Sequence, residues 1–161
     1  MSEQASAPHP EITYAVIGCA MRVHNELGPG LRESAYQKAL SLELETAGLT
    51  YEAERPIEIE VDGAAVGLLY VDHLVEGKVI VEEKALSHLV TNDEIAQVIT
   101  YLCALELDVG LLINFGRRTL ECKRIFPPDD VTQWRGRINR YVWRPSDSAS
   151  VHPLSNPLRD Q

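Results

Sequence analysis

Cysteine is scarce in this chain: Cys19, Cys103 and Cys122 are the only three in 161 residues, far apart and with no CxxC pair. That spacing excludes a zinc finger and a disulfide framework. Cys19 and Cys103 fall on apolar helical stripes, where a cysteine serves as a small core residue. The five histidines are scattered without an HxH or HxxxH pair, which excludes a histidine-rich metal site. No apolar run reaches the length of a membrane span. The first residues, MSEQASAPHPEITY, lack the basic start and apolar stretch of a secretory signal. A cytoplasmic protein of one domain plus tails is expected, and 45% apolar residues suffice for its core.

Positive charge is short as well. The formal charge of −9 argues against generic, charge-driven binding to nucleic acid. Residues 1–128 hold 10 basic and 20 acidic side chains, whereas residues 129–161 hold five arginines (Arg135, Arg137, Arg140, Arg144, Arg159) and four aspartates. A polyanion that meets the folded part needs metal ions or a local basic patch to offset this field.

What is present is a clear succession of periodicities. Residues 1–10 carry two prolines and no pattern, and are expected to be a disordered tail. Ile12, Val16, Cys19, Val23 and Leu27 then recur at helical steps, until Gly28-Pro29-Gly30 stops the helix. A second helix is expected over about Leu31 to Ala47, with Tyr36, Leu40, Leu44 and Ala47 on one stripe and Gly48 at its end. The pattern next changes to period two. Ile57, Ile59 and Val61 alternate with Glu58 and Glu60, Asp62-Gly63 turns the chain, and residues 64–75 return as a second strand. Glu76-Gly77 marks another reversal into a third strand, Lys78 to Lys84. Thr91 and Glu94 form a capping box for a helix that runs to about Leu107. Val109 to Phe115 suits a strand buried on both faces, and residues 119–126 an edge strand. The order α-α-β-β-β-α-β-β implies an α/β domain, residues 11–126, with helices packed on a mixed central sheet. Residues 127–161 form a Pro-, Arg- and Trp-containing C-terminal tail. Its segment WRGRINRYVWR reads as a helix docked by two tryptophans, as a base-stacking element, or as a contact for a protein partner.

A few polar residues stand where apolar ones are expected. Asp72 interrupts LLYVDHLV, and Glu82 and Lys84 share one face of the strand VIVEEK. Buried without partners, such groups would have shifted ionisation, and a divalent cation with oxygen ligands relieves that cost. Register provides a test. A two-residue turn through Glu76-Gly77 puts Asp72 and Glu82 on opposite faces. A three-residue connection, Glu76-Gly77-Lys78, pairs Val75 with Val79 and Asp72 with Glu82, and a one-residue bulge elsewhere restores the same parity. One of these last two is predicted.

Gln97 and Tyr101, four apart, share a helix face, and Glu33 lies three residues before Tyr36 near a helix N-terminus. Each residue also has a plain explanation. Glu82-Glu83-Lys84 reads as a charged strand end in solvent, Asp72 as a turn cap or ion-pair partner, and Gln97 with Tyr101 as a hydrogen-bonding pair at the core edge. His73 reads as packing or surface, and His24 and His88 have no partner pattern.

Taken together, Gly30, Glu33 and Tyr36 spell GxxExxY. With VHNELGPGLRESAYQKAL, VDHLVEGKVIVEEKAL, QVITYL and GLLINFG in that order, the stretch from Ile12 to Phe126 resembles the GxxExxY protein family of the PD-(D/E)XK nuclease superfamily. The resemblance implies a restriction-endonuclease-like fold and metal-assisted phosphodiester hydrolysis of nucleic acid, DNA being the expected substrate. Asp72 and Glu82 would bind Mg²⁺ or Mn²⁺ together with the backbone carbonyl of Glu83. Lys84 would orient or help deprotonate the attacking water, Glu33 would hold a water or a second ion, and Gln97 and Tyr101 would position the substrate strand. His73 and Glu83 stand where apolar residues are expected in relatives. Two other functions compete: a catalytically silent module that binds nucleic acid or a protein partner, and an interaction domain whose acids hold a structural cation.

Overall fold

A computed structural model describes residues 7–128; residues 1–6 and the WRGRINRYVWR segment lie outside the described residues. Helix α1 spans Pro10–Leu27 and opens on a proline, which has no N–H to leave unsatisfied in a first turn. It ends where Gly28 adopts a left-handed φ of 64° and returns its N–H to the His24 carbonyl at 2.8 Å. Helix α2 spans Glu33–Thr46 and begins two residues later than expected, because Gly30 (φ 108°) and the extended Arg32 still belong to the turn.

Strands β1 (Tyr51–Val61) and β2 (Ala64–Val75) form a long antiparallel hairpin, joined by Asp62 and Gly63, both with positive φ. Strand β1 starts six residues before Ile57. In its first half only Tyr51 and Arg55 are half-buried and the rest is exposed, so the residues carry no apolar alternation to read, and pairing with β2 makes the strand. Pro56 is tolerated because β1 lies at a sheet edge. Strand β3 (Val79–Lys84) follows, then helix α3 (Asn92–Leu105), opened by the expected Thr91/Glu94 capping box. Strands β4 (Val109–Asn114) and β5 (Glu121–Ile125) complete the sheet. The strand order is β1-β2-β3-β4-β5, antiparallel except for the β3–β4 pair, which α3 connects as a crossover.

Helices α1 and α2 cover one face of the sheet, packing Val16, Tyr36 and Leu40 against Val79, Val81, Leu111 and Ile113. Helix α3 covers the other, packing Val98 and Leu102 against Ile80 and Leu112. Consecutive residues of β3 and β4 thus enter opposite cores, which is why these strands read as continuous apolar runs.

The β2–β3 connection decides the geometry of everything that follows. Val75 pairs with Val79, so Glu76, Gly77 and Lys78 all lie in the loop, as one of the two expected registers requires. Glu76 and Gly77 take φ of 54° and 64°, and the Lys78 N–H closes on the Val75 carbonyl at 3.0 Å. Lys78 is the extra residue that sets the parity. The regular pairing runs as far as His73↔Val81, and Asp72 follows just beyond it.

Candidate active site

Asp72 and Glu82 are hydrogen-bonded into each other's strands. The Asp72 N–H donates to Glu82 Oε1 at 3.0 Å, and the Glu83 N–H donates to Asp72 Oδ2 at 2.9 Å. Side chains thus take the place of ladder bonds beyond His73↔Val81, where the paired register of β2 and β3 stops. At the same point β1 also loses regular pairing: Glu54, between the pairs Ala53↔His73 and Arg55↔Val71, has a left-handed φ of 53°.

Glu82 is 2% exposed and Glu83 fully buried, so the reading of this segment as a solvated strand end does not hold. Lys84 Nζ is 4.0 Å from Glu82 Oε2 and donates to Gln97 Oε1 at 3.0 Å. The Gln97 amide in turn donates to the Tyr101 hydroxyl at 2.7 Å. The expected Gln97–Tyr101 pair is therefore present, and its free carbonyl oxygen grips the lysine. Tyr101 is buried, and desolvation first, then Glu82, push its phenol up, so it stays a neutral hydroxyl.

Glu33 approaches from the start of α2. The turn before it is pinned by Tyr36, whose hydroxyl donates to the Gly28 carbonyl at 2.6 Å and accepts from the Leu31 N–H at 3.2 Å. The tyrosine ring itself stacks on Phe115 in the core. Gln37, one helical turn after Glu33, bridges the two acids: its amide nitrogen lies 3.3 Å from Glu33 Oε1 and 3.0 Å from Asp72 Oδ1. Sequence reasoning missed Gln37, although its i+4 spacing from Glu33 was a usable signal. A cavity of about 270 Å³ opens beside Asp72, lined by Ser34, Gln37, Lys38, Ser41, Glu54 and His73 among others.

The cluster sets three acids, Glu33, Asp72 and Glu82, around one ammonium. Burial and then Asp72 hold the Glu82 carboxyl well above the ordinary carboxylate range. Burial raises Glu33 too, opposed by Lys84. Among the described residues no group of three or more His, Cys, Asp or Glu side chains is arranged to hold a metal ion. The donors on hand are the oxygens of two carboxylates and of backbone carbonyls, each carboxylate oxygen retaining a lone pair after the bonds above. Such hard donors suit a divalent cation that keeps several waters of its own, so the residues fit one.

Glu83 turns its side chain to the opposite face. Its Oε1 lies 2.5 Å from His73 Nδ1, and His73 Nε2 lies 2.7 Å from the Ser41 hydroxyl of α2. The contact lies outside ideal hydrogen-bond geometry, and the Asp72 side chain is the carboxyl's other polar neighbour. The two residues that broke the apolar pattern are thus each other's neighbour, and of the two readings of His73 packing is the right one.

Residues 10–125 match the family model for the PD-(D/E)XK nuclease superfamily. The chain belongs to that superfamily. No curated protein matches it. Among solved structures, the crystal structure of SSO0001 is similar over 75% of this chain and 69% of that one, at 20% identity and a TM-score of 0.44. The mixed five-stranded sheet with helices on both faces is consistent with a PD-(D/E)XK fold. Nucleases of this superfamily generally use divalent metal ions and act on nucleic acid. No helix among the described residues of this PD-(D/E)XK protein is long and apolar enough to cross a membrane.

Proposed function

We propose that this chain is a metal-dependent nuclease that hydrolyses phosphodiester bonds, with DNA as its substrate. The observation that carries this reading is the pair of hydrogen bonds from the Asp72 N–H to the Glu82 carboxylate and from the Glu83 N–H to the Asp72 carboxylate, with the Lys84 amine 4.0 Å from the Glu82 carboxylate. Asp72, Glu82 and the backbone carbonyl of Glu83 would hold Mg²⁺ or Mn²⁺. Bound there, the ion lowers the pKa of a water and stabilises negative charge developing on the phosphate. The protein supplies the rest. Lys84, fixed by Gln97, orients the attacking water and offsets charge on the phosphate oxygens. Glu33, tied to Asp72 through Gln37, holds a second water or ion. Gln97 and Tyr101 position the substrate strand through the amine they set in place.

Purified protein should release acid-soluble nucleotides from DNA with Mg²⁺ or Mn²⁺, and Lys84→Ala should abolish the release. Cleavage that survives in Lys84→Ala rejects the assignment. One observation favours a second reading, a silent module that binds nucleic acid or protein: residues 1–128 hold twice as many acidic as basic side chains, 20 against 10. That reading predicts binding indifferent to metal and to Asp72→Asn.

A further inference from the structure

Charge is divided between the two edges of the sheet. Residues 51–62, on β1 and its turn, carry Glu52, Glu54, Glu58, Glu60 and Asp62 against Arg55 alone. Residues 117–124, in the β4–β5 hairpin, carry Arg117, Arg118, Lys123 and Arg124 against Glu121 alone. Glu121 does not neutralise them. Its carboxylate is turned inward, where it accepts from the Val90 N–H at 3.0 Å and the Asn114 amide at 3.2 Å. None of the four cations forms an ion pair among the described residues. Arg118, Lys123 and Arg124 are exposed and Arg117 is half-buried.

The hairpin starts at the site. The Phe115 N–H donates to the Lys84 carbonyl at 2.8 Å, so Arg117 follows two residues after a direct backbone contact with the lysine. Across the sheet, Glu82, Leu112 and Lys123 lie in one row on the α3 face. Two strand spacings put Lys123 about 10 Å from Glu82, and four put the acidic β1 edge about 19 Å from β5. The Debye length at physiological salt is about 8 Å. A ligand on the hairpin therefore meets the local cations, while the acids of the far edge are screened.

We propose that the β4–β5 hairpin is the nucleic-acid docking surface of this protein. Arg117 and Arg118 before β5, with Lys123 and Arg124 on the two faces of that edge strand, take the phosphodiester backbone where it crosses the β5 edge, and the strand then runs toward Lys84, away from the acidic β1 edge. The proposal rests on the nuclease reading above. It resolves the objection that an acidic domain repels its substrate, since binding answers to charge within a Debye length rather than to the net total.

The test measures anisotropy of a labelled DNA oligonucleotide with full-length Lys84→Ala protein, which holds substrate without cleaving it, over roughly 50–200 mM salt. In that background Arg117→Gln/Arg118→Gln and Lys123→Gln/Arg124→Gln should each weaken binding about ten-fold or more. Each pair should reduce the slope of log affinity against log salt by about two, one for each lost phosphate contact. Arg55→Gln/Lys78→Gln, removing the same charge elsewhere, should leave both unchanged. With Lys84 restored, the hairpin pairs should raise KM and spare kcat. Wild-type affinity and slope in both hairpin pairs overturn the proposal. So does a loss of self-association in sedimentation with DNA binding intact, which would assign the basic edge to the acidic edge of a second copy. Absence of Lys84-dependent cleavage, with the hairpin effects present, removes the nuclease reading instead and leaves a nucleic-acid-binding module.

Discussion

Glu83 Oε1 and His73 Nδ1 meet 2.5 Å apart in the interior, on adjacent strands, on the face opposite Glu82 and Lys84. Of the residues just before them in sequence, Glu82 lies on the α3 face beside Lys84, while Asp72 reaches back to Gln37 of α2. The His73–Glu83 pair is thus sealed beneath α2, across β3 from the Glu82 carboxyl. Fully buried, the sealed pair is held as a neutral acid and imidazole, because burial opposes both charged forms.

The first prediction follows from that pairing. His73→Leu leaves a buried carboxyl without its neighbour and should destabilise the protein by about 2 kcal/mol in urea unfolding. His73→Leu/Glu83→Leu removes both groups and should return stability to within about 1 kcal/mol of wild type. A double variant less stable than the single one would show that the pair anchors the seam through other contacts.

Their titrations oppose each other. Burial, and then the charge of Asp72, push Glu83 well above its ordinary 4.5, so above that pH the fold keeps a proton that the unfolded chain releases. Stability attributable to Glu83 is present at low pH and lost as pH rises. Burial takes His73 from 6.5 down to about 4, so stability attributable to it is present above 6.5 and lost as pH falls toward 4. In Glu83→Gln only the histidine contribution remains. The stability of this variant relative to wild type should increase from about pH 5 to about pH 8. A flat difference across that range counts against a protonated Glu83.

A third prediction concerns the grip on Lys84. Gln97→Leu frees the amine and should lower kcat for DNA cleavage about 10- to 100-fold with little change in KM. Tyr101→Phe removes only the acceptor of the Gln97 amide and should produce a smaller fall in the same direction. An effect of Tyr101→Phe on KM alone would mean that its hydroxyl meets substrate directly.

Tyr36→Phe keeps the ring stacked on Phe115 at 4.9 Å while removing the hydroxyl shared by Gly28 and Leu31. Unfolding measurements should show a loss of about 1–3 kcal/mol. Because that turn delivers Glu33, cleavage should fall further than in a variant of equal stability loss placed elsewhere.

Gly116→Ala should be the most damaging small substitution. A Cβ at this position would lie 2.4 Å from both the backbone nitrogen and the carbonyl oxygen of Leu86, neither of which can rotate away. A loss of about 3 kcal/mol in thermal or urea unfolding is expected. It should be accompanied by displacement of the loop after Lys84.

Most of the fold was legible in the residues. The eight elements appear in the expected order, the Thr91/Glu94 box opens its helix, and Glu76-Gly77-Lys78 forms the connection that pairs Val75 with Val79. Those features are local. Apolar spacing, turn chemistry and strand parity act over a few neighbouring residues, so a string of side chains is enough to specify them.

The environment of the acids was not legible. Glu82-Glu83-Lys84 has the composition of a wet strand end, and only the stacking of α2 and α3 on either side of β3 encloses it. Gln37 meets Asp72 across 35 positions of chain, and His73 meets Ser41 across 32, distances over which no periodicity speaks. The local pattern chose which way each side chain points. What it points at, and whether its charge survives there, depends on the elements that pack above it, because desolvation and hydrogen-bond partners exist only once distant segments come together.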